Sequence, residues 1–483
     1  MLTILFTTFF VLLAINTPIA FALGIASALT LILDDTLPLN SLVTRAFVGV
    51  DSFTLLAIPF FIIAGELMNA CGITERIVNF SRSLVGHIRG GLAHVTIVSN
   101  MFFSGISGSA TADASALGSM MIPAMKKNGF DADYAVAVNA SASAMGPIIP
   151  PSILMVIYGS IANVSIAQLF MGGFVPGVMV AIGLMGMAYY IAKKRNYPAP
   201  PRAELPPVLP SFLDALWALA MPVIILGGIF SGVFTATEAG VVAVAYATLV
   251  GTFVYRTLTF KLVGELLVDA AVTSAAAMFL IATASSFAWL LAWAGFGVAV
   301  LDVLGGVSSN PKIAVLLILG FILILGLFIE GIPILIIFTP VLLPVIQGLG
   351  VDPVYFGVIL VMAVVIGSVT PPVGILTYIC KRKMKLEISL EELKQRTENL
   401  RQRMKSEGFD ALVIYSDEYR TGHASYVTNY KPINVIEESP QLVILIGDLQ
   451  PVVLLGRLNA YAARDMCWIE DVRGIHRPYT DLP

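Results

Sequence analysis

The chain has 483 residues, of which 57% are hydrophobic and only 12% are charged, and its mean hydropathy is +0.88. A soluble globular domain carries about 25% charged residues, so this composition excludes a protein that is soluble as a whole. The net charge of −3 provides no basic field for nucleic acid. Three widely separated cysteines exclude a disulfide framework and a zinc knuckle.

Charge is distributed very unevenly along the chain. Residues 381 to 483 hold 15 of the 28 Lys and Arg residues and 15 of the 31 Asp and Glu residues. We therefore predict two parts: a membrane transport domain over residues 1–380 in the lipid bilayer, and a small soluble α/β domain over residues 384–483.

Crossing the hydrocarbon takes about 20 apolar residues in a helix. The first apolar stretch is read as a retained span because no basic segment or small-residue cleavage site precedes it. The predicted spans are residues 2–33, 52–71, 131–159, 167–192, 212–232, 235–255, 264–293 and 354–380.

Two further apolar stretches, residues 91–125 and 313–348, are too long for one crossing and are interrupted by polar and glycine-rich sequence. Both are predicted to be re-entrant helical hairpins, which enter and leave on the same side.

Basic residues favour the cytoplasmic side of a membrane. On this rule the N-terminus, both ends of the first hairpin and the tail are cytoplasmic, whereas residues 34–44 and 160–166, Asp302 and both ends of the second hairpin lie outside. The residues assigned to the cytoplasm are Arg76, Arg82, Arg89, Lys126, Lys127, Lys193, Lys194, Arg195, Arg256, Lys261, Lys381, Arg382 and Lys383.

A shift of 221 residues superimposes parts of the chain without a gap. The matched pairs are Gly105 with Gly326, Pro123 with Pro344, Gly129 with Gly350, Asp131 with Asp352, Tyr134 with Tyr355, Gly146 with Gly367, Pro150 with Pro371 and Pro151 with Pro372. Since the charge rule orients the two copies oppositely, we predict inverted repeats over residues 52–159 and 264–380, connected by helices in 167–255. The fold is an all-α polytopic membrane protein, and this design is typical of secondary transporters.

In each copy a span breaks near its middle, at residues 146–152 and at residues 367–374. Proline lacks an amide and disturbs the preceding residue, so upstream carbonyls need a cation, water or a side chain. A kink that only shapes a packed helix is the alternative, and the hairpin serines could simply ease helix contact. The predicted sodium and substrate site consists of Ser104, Gly105, Ser107, Gly108, Ser109, Asp113, Gly146, Ser152, Gly326, Glu330, Gly331, Gly367, Thr370 and Gly374.

Acids inside the membrane are expensive and usually functional. Asp113 lies beside the first hairpin tip and Glu330 lies in the second, where it could also reach water. Glu66 and Glu238 are equally well explained as structural acids that bond to neighbouring helix ends.

Several motifs occur in a fixed order along residues 1–380. They are Ile58-Pro59-Phe60-Phe61, Ala64-Gly65-Glu66, the run from Ser104 to Asp113, Pro150-Pro151-Ser152, Thr235-Ala236-Thr237-Glu238-Ala239 and Thr370-Pro371-Pro372-Val373-Gly374. In these motifs the chain resembles the large, DctM-like membrane subunit of the tripartite ATP-independent periplasmic (TRAP) transporters. No nucleotide-binding P-loop motif is found in the sequence.

The resemblance implies an elevator-type sodium symporter of the bacterial inner membrane that imports organic acids such as dicarboxylates. It implies a small four-helix membrane subunit and a periplasmic solute-binding protein as partners, and Na⁺ as coupling ion with no cofactor. Members of the family usually have a further membrane helix after the second break, whereas here charge begins at Lys381.

The tail is of a different kind. Leu390, Leu393, Leu400 and Met404 line one face of a charged helix, followed by short strands at residues 411–415, 442–446 and 452–455. With Gly408-Phe409-Asp410-Ala411-Leu412, residues 391–472 resemble the N-terminal domain of the creatinase and proline-peptidase family, whose metal ligands lie in a later domain. His423 and His476 are therefore read as ordinary histidines. The tail is read as an accidental fusion, and the alternative is a real fusion in which the tail docks on the cytoplasmic face.

Two rival functions are weighed. Gly105-Ile106-Ser107-Gly108 matches the sequence around an intramembrane serine protease nucleophile, but the only membrane-region histidines, His87 and His94, precede it on the same hairpin. A stand-alone sodium-coupled dicarboxylate carrier or anion channel is the second rival. An enzyme is not predicted.

Overall fold

The computed structural model describes most of the chain. It covers residues 1–15, 17–34, 37–202, 205–300, 310–371, 374–383, 390–416, 428, 441–447, 449–456, 469 and 471–475. Two units are distinguished, Met1–Met384 and Lys385–Pro483, and each is described by itself. Asp302, Pro372, Val373, His423 and His476, which entered the sequence predictions, lie outside the described residues.

The first apolar stretch forms two short helices, α1 (Leu2–Ala14) and α2 (Ile19–Asp34), which pack against each other. Pro18 cannot continue α1 as a regular helix, because it has no amide and restricts the residue before it. The amino group of Met1 consequently lies 3.1 Å from Asp34 Oδ2. The prediction of one span over residues 2–33 is wrong. Because Met1 and Asp34 lie side by side, the N-terminus and residues 34–44 cannot lie on opposite sides of the membrane, as the charge rule predicted.

The chain continues through a series of helices to the first hairpin and the first broken span. They are α3 (Asn40–Val50), α4 (Ala57–Ala70), α5 (Ile73–Val85), α6 (Gly91–Ser107), α7 (Ala110–Lys127), α8 (Ala132–Ser143) and α9 (Ile153–Ala162). A single 3₁₀ turn, Phe53–Leu56, precedes α4.

Long helices connect this part to the second hairpin and the second broken span. They are α10 (Ile166–Lys194), α11 (Val208–Phe230), α12 (Ala236–Leu249, extended by a π-helical turn Val250–Val254) and α13 (Phe260–Trp293). The second set comprises α14 (Pro311–Gly326), α15 (Gly331–Gly348), α16 (Pro353–Val369) and α17 (Ile375–Lys383).

The 221-residue shift also aligns these two sets of helices. It moves the bounds of α7 onto those of α15, and it moves the first residue of α8 onto the first residue of α16. The packing corresponds as well, because α9 contacts α15 and α16 while α17 contacts α7 and α8. The opposite orientation of the copies stays a prediction.

Six helices in the described ranges are long and apolar enough to cross a membrane, judged by length and composition. They cover Phe53–Ala70, Ile166–Lys194, Val208–Phe230, Ala236–Val254, Phe260–Trp293 and Gly331–Gly348. The unit Met1–Met384 is thus a mostly helical, membrane-spanning structure whose core brings together apolar residues from both hairpins and both broken spans.

The second unit contains α18 (Leu390–Glu407) and a four-stranded sheet in the order β1-β2-β3-β4. The strands are β1 (Ala411–Ser416), β2 (Gln441–Ile446), β3 (Val452–Gly456) and β4 (Asp471–Ile475). β2 pairs antiparallel with β1 and β3, and β4 pairs parallel with β3.

Candidate functional site

The tip of the first hairpin is a sharp glycine turn between α6 and α7. Gly108 ends α6 with φ +62°, a left-handed conformation that glycine adopts without steric cost. Ser109 then caps α7, since its hydroxyl accepts a hydrogen bond from the amide of Ala112 at 3.4 Å. Ser109 Oγ also lies 3.1 Å from Thr111 Oγ1. The tip therefore presents hydroxyl groups and the amide end of a helix.

The first broken span separates α8 from α9 by residues 144–152. Ser152 joins the two sides of the break, because its hydroxyl donates to the carbonyl of Pro147 at 2.5 Å and accepts from the amide of Met155 at 3.1 Å. The α9 amide end is capped in this way, and one freed carbonyl is satisfied by a side chain.

The first hairpin tip and the first break contact each other through backbone atoms. The amide of Ile153 donates to the carbonyl of Gly108 at 3.3 Å. A Cβ on Gly108 would lie 2.5 Å from the carbonyl oxygen of Pro151, and a Cβ on Gly146 would lie 2.6 Å from Asp113 Oδ2. Only glycine permits these approaches, which explains why both predicted glycines occupy these positions.

Asp113 is the centre of this contact and is completely buried, with 0% of its surface exposed. Ser107 donates a hydrogen bond to its Oδ1, and Ser104 Oγ lies 3.1 Å from its Oδ2. The Ser104 hydroxyl also lies 2.7 Å from the carbonyl of Asn100, so its single proton cannot serve both acceptors. No Lys, Arg or His of the described chain forms an ion pair with Asp113, and a buried carboxylate requires such compensation.

Behind Asp113 a line of buried amides and hydroxyls continues between α6 and α8. Ser143 Oγ lies 3.1 Å from Asn100 Oδ1 and donates to the carbonyl of Asn139 at 2.8 Å. Asn139 Nδ2 in turn donates to the carbonyl of Ala114 at 3.2 Å. With a carboxylate and several neutral oxygens, this region has the ligand types that hard cations prefer.

In the second copy the hairpin and the break approach through glycines without such side chains. A Cβ on Gly367 would lie 2.7 Å from Gly326 Cα, so α14 and α16 meet backbone to backbone. Gly374 has φ +52°, and the Thr370 hydroxyl donates to the carbonyl of Ile366 at 2.7 Å. Glu330 and Gly331 lie at the tip between α14 and α15, where a Cβ on Gly331 would lie 2.9 Å from Val364 Cγ1 on α16.

The two hairpin tips border a common space. A small cavity of about 60 Å³ is lined by Gly108, Ser109 and Thr111 from the first tip and by Glu330 and Gly331 from the second. A larger cavity of about 650 Å³ shares Ser109, Thr111 and Glu330 and adds residues from α4 and α13. The structure thus groups Ser104, Ser107, Gly108, Ser109, Asp113, Gly146 and Ser152 and leaves Gly105 facing Pro222. It brings Gly326 and Gly367 together in the second copy, while Thr370 and Gly374 contact residues of their own break.

Three residues of the larger cavity were missed as site residues. Glu66 and Asn69 on α4 and Thr273 on α13 face the first tip across this space. The only charged side chains lining the described part of both cavities, Glu66 and Glu330, are acidic. An anionic substrate in this space would therefore need cations for compensation.

Glu238, by contrast, has the structural role that was the alternative. Its carboxylate accepts hydrogen bonds from the Thr235 amide at 2.8 Å and from the Thr235 hydroxyl at 2.9 Å, while Thr235 Oγ1 accepts from the Glu238 amide. This reciprocal pair is a capping box at the start of α12.

Within the described residues, Ser107 has no histidine base of the kind that a serine protease needs. Its hydroxyl donates to Asp113, and His94 lies 13 residues before it on α6, about 20 Å along the helix axis. Both ring nitrogens of His94 are buried and have no hydrogen-bond partner in the described chain.

Comparisons with known proteins show the family of the chain. The family described as "Tripartite ATP-independent periplasmic transporter, DctM component" matches residues 6–393, which extends beyond the predicted end at residue 380. The chain is similar to the sialic acid TRAP transporter large permease protein SiaM of Vibrio cholerae, with 42% identity over 365 residues that cover 76% of this chain and 86% of the relative.

It is also similar to the 2,3-diketo-L-gulonate TRAP transporter large permease protein YiaN of Escherichia coli, with 40% identity over 361 residues covering 75% of this chain and 85% of the relative. Among solved structures, the YdaH transporter of Alcanivorax borkumensis matches with a TM-score of 0.50 and 14% identity, over 73% of this chain and 82% of that chain. That likeness concerns the fold alone. The curated relatives are permeases, which confirms the prediction that the chain is not an enzyme.

Proposed function

The chain belongs to the DctM component family of the tripartite ATP-independent periplasmic transporters, and from this membership we propose that it is the large subunit of a sodium-coupled importer of an organic acid. The observation that carries the proposal is the contact between the first hairpin tip and the first break, where Asp113 is buried and has no basic partner among the described residues. A sodium ion at this contact would compensate the carboxylate and bind the freed carbonyls.

The substrate site is proposed in the space between the two tips. Glu330 and Glu66 line it, so bound sodium has to offset the negative field before a carboxylate enters. The names of three relatives give sialic acid, 2,3-diketo-L-gulonate and C4-dicarboxylate as their substrates, all of which are organic acids. This supports an organic acid as the substrate class.

We propose an elevator mechanism in the bacterial inner membrane. The hairpins and broken spans would move as one body against α4 and α13, which form the opposite wall of the larger cavity. The matching bounds of α7 and α15, the matching first residues of α8 and α16 and the charge distribution support an inverted repeat, the arrangement that supplies two equivalent end states.

The proposed partners are a small four-helix membrane subunit and a periplasmic solute-binding protein that delivers the acid. The test is uptake into proteoliposomes that contain this chain with its small subunit. With the binding protein present, an inward sodium gradient should drive accumulation, and an equal potassium gradient should not. Equal uptake in both salts would contradict sodium coupling.

Omission of the binding protein tests the rival transport function. Uptake should fall to background without it. Undiminished sodium-driven uptake would favour the stand-alone dicarboxylate carrier, and uptake that follows only the substrate gradient would favour an anion channel.

For the second unit we propose a creatinase N-terminal-like domain that is joined by accident and has no part in transport. Leu393 and Met404 are buried on one side of α18, and the sheet is the framework of a small α/β domain. Mass spectrometry of the native membrane protein tests the join. A peptide running from Tyr378 through Met384 to Lys394, in a polypeptide of full mass, would contradict an accidental join.

A further inference from the structure

The larger cavity between the hairpin tips and the wall formed by α4 and α13 has the size of a small-molecule site. Its volume is about 650 Å³, within the range of pockets that take small organic ligands. Hydrogen-bonding side chains line it from several elements, so polar groups surround a bound molecule on more than one side. These side chains are Glu66, Asn69, Thr111, Ser115, Thr273 and Glu330.

Most of these groups are available to a ligand, and most of them accept hydrogen bonds. The carboxylates of Glu66 and Glu330 and the hydroxyl of Ser115 have no hydrogen-bond partner in the described chain. The Thr273 hydroxyl donates to the carbonyl of Asp269 at 2.9 Å, so only its lone pairs remain for a ligand. Because an ionised carboxylate has acceptor sites only, a ligand that fills this cavity has to supply several donors.

Asn69 adds a donor beside Glu66. The two residues are three positions apart on α4 and are therefore neighbours on one face of the helix. Asn69 Oδ1 accepts from the Thr74 hydroxyl at 2.9 Å, which leaves the Asn69 Nδ2 group as a donor to the cavity. One hydroxyl group of a ligand can donate to Glu66 and accept from Asn69 at the same time. A carboxylate at this place would meet the donor but would be repelled by Glu66.

The two hairpin tips differ in their attraction for a carboxylate. A helix begins at each tip, and the amides of its first turn have no partner within the helix. The residue in front of α7 is the neutral Ser109, so the positive end of this helix is open to an anion. The residue in front of α15 is Glu330, and Pro333 in the first turn of α15 has no amide. Within the described residues, the first tip is therefore the one place in this cavity that favours an anionic group.

We propose that the substrate is a monocarboxylic acid with several hydroxyl groups, of the sugar-acid class; this inference rests on the proposed function. The carboxylate lies at the first tip beside the cation bound at Asp113. The hydroxyl groups donate to Glu66 and Glu330 and accept from Asn69. A dicarboxylate fits the same cavity poorly, because its second carboxylate would face an acidic side chain and would leave the acceptors of that side chain unfilled.

The test measures how well candidate ligands protect a cysteine in the cavity of the purified full chain with its small subunit. The reporter is Ala276→Cys on the α13 wall, in a background in which Cys71, Cys380 and Cys467 are replaced by alanine. Maleimide labelling is timed in sodium buffer and in potassium buffer. D-gluconate and D-glucuronate carry one carboxylate and several hydroxyls, succinate carries two carboxylates, hexanoate carries one carboxylate without hydroxyls, and sorbitol carries hydroxyls alone.

At least one of the two sugar acids should slow labelling about 3-fold or more in sodium, the result of two-thirds occupancy, and the other probes should slow it less than about 1.5-fold. Strongest protection by succinate or hexanoate would overturn the sugar-acid class and would still agree with a sodium-coupled importer of organic acids. Equal protection by a sugar acid in potassium would contradict sodium coupling and would support the sugar acid. Protection by sorbitol as strong as by the sugar acids, or no protection by either sugar acid, would overturn the proposal.

Glu66→Gln and Glu330→Gln test the role of the two carboxylates. Each keeps the size of the side chain and removes its charge, so the half-protecting concentration of the sugar acid should rise about 10-fold, whereas that of succinate should fall. The matched control is Glu265→Gln on α13, outside the cavity lining, where the carboxylate is 59% exposed and lies 3.8 Å from Lys261 Nζ. This control should leave both concentrations unchanged. If both concentrations rose alike in Glu66→Gln and Glu330→Gln, the carboxylates would not select the hydroxyl groups, and the proposal would be wrong.

Discussion

The two copies of the repeat share a backbone design but differ in the chemistry of their side chains. Each has a hairpin, a glycine contact and a broken span at positions 221 residues apart. In the first copy the positions around the contact are polar and buried, whereas their counterparts in the second copy are apolar, and Phe321 and Phe328 among these are exposed. The pairs are Asn100 with Phe321, Ser104 with Leu325, Ser107 with Phe328, Asp113 with Ile334, Asn139 with Leu360 and Ser143 with Val364.

This difference shows which properties the glycines and prolines control and which they do not. Close approach of tip and break occurs in both copies, so it depends on the missing Cβ atoms and amides. Among the described residues, a buried carboxylate at the contact occurs in the first copy only. We infer that the first site uses side chains to bind a cation, whereas a cation in the second would depend on backbone carbonyls and the Thr370 hydroxyl.

The largest effect is expected from the residue that differs most between the copies. Asp113→Asn keeps the shape but removes the negative charge, so the sodium concentration for half-maximal uptake should rise roughly 30- to 100-fold, the equivalent of a lost charge-assisted interaction of about 2–3 kcal/mol. Sodium titration of reconstituted uptake measures this.

The control for Asp113→Asn is Ile334→Val at the matched position of the second copy. It removes one methylene from an apolar site and should leave the sodium titration within about 2-fold of the original. Membrane abundance should be unchanged in both variants. If the two variants shifted the titration equally, the proposed division of roles would be wrong.

The opposite orientation of the copies predicts a second large difference. Lys127 and Gly348 end the matched helices α7 and α15. A cysteine at Lys127 should react with an impermeant maleimide from the cytoplasmic side at least about 10-fold faster than from the periplasmic side, and a cysteine at Gly348 should show the reverse preference. Labelling of both from the same side would rule out an inverted repeat.

Patterns within one segment predicted the structure better than contacts between segments. Gly108 and Ser109 at the first tip, and the prolines of the first break, indicate where helices end, because they act on the local backbone. The α1–α2 turn was missed, since hydropathy alone does not reveal where an apolar stretch reverses. Glu66, Asn69 and Thr273 were missed as cavity residues, because only the tertiary packing of α4 and α13 brings them to the first tip.

Removing single hydroxyl groups should also distinguish the two copies, with smaller changes in the half-maximal sodium concentration. Ser107 donates to Asp113, so Ser107→Ala should raise the half-maximal sodium concentration roughly 10-fold. Thr370 donates only to the carbonyl of Ile366 within its own helix, and Thr370→Ala should raise it about 3-fold or less. Titrations of both variants in one lipid preparation make the comparison. A larger effect at Thr370 would assign the main side-chain ligand to the second copy.

The smallest expected effect concerns the ion pair that fastens α10 to the first copy. Asp131 lies between α7 and α8, outside the membrane-spanning segments, and hydrogen bonds from Tyr197 and then Arg195 hold its pKa below the ordinary value. A lowered folded-state pKa stabilises the protein fully above the unfolded carboxyl pKa of about 4, and this stabilisation is lost as the pH falls through the folded value. Arg195→Gln should therefore lower Tm by about 1–3 °C at pH 7 and by less at pH 3, since exposed pairs contribute little.

Asp352→Asn is the matched control. An asparagine also caps a helix, and Asp352 has no ion pair in the described ranges, so the Tm of this variant should stay unchanged at both pH values. An Arg195→Gln effect of equal size at both pH values would show that the guanidinium acts through packing on Tyr134 and Tyr197 and not through the Asp131 carboxylate.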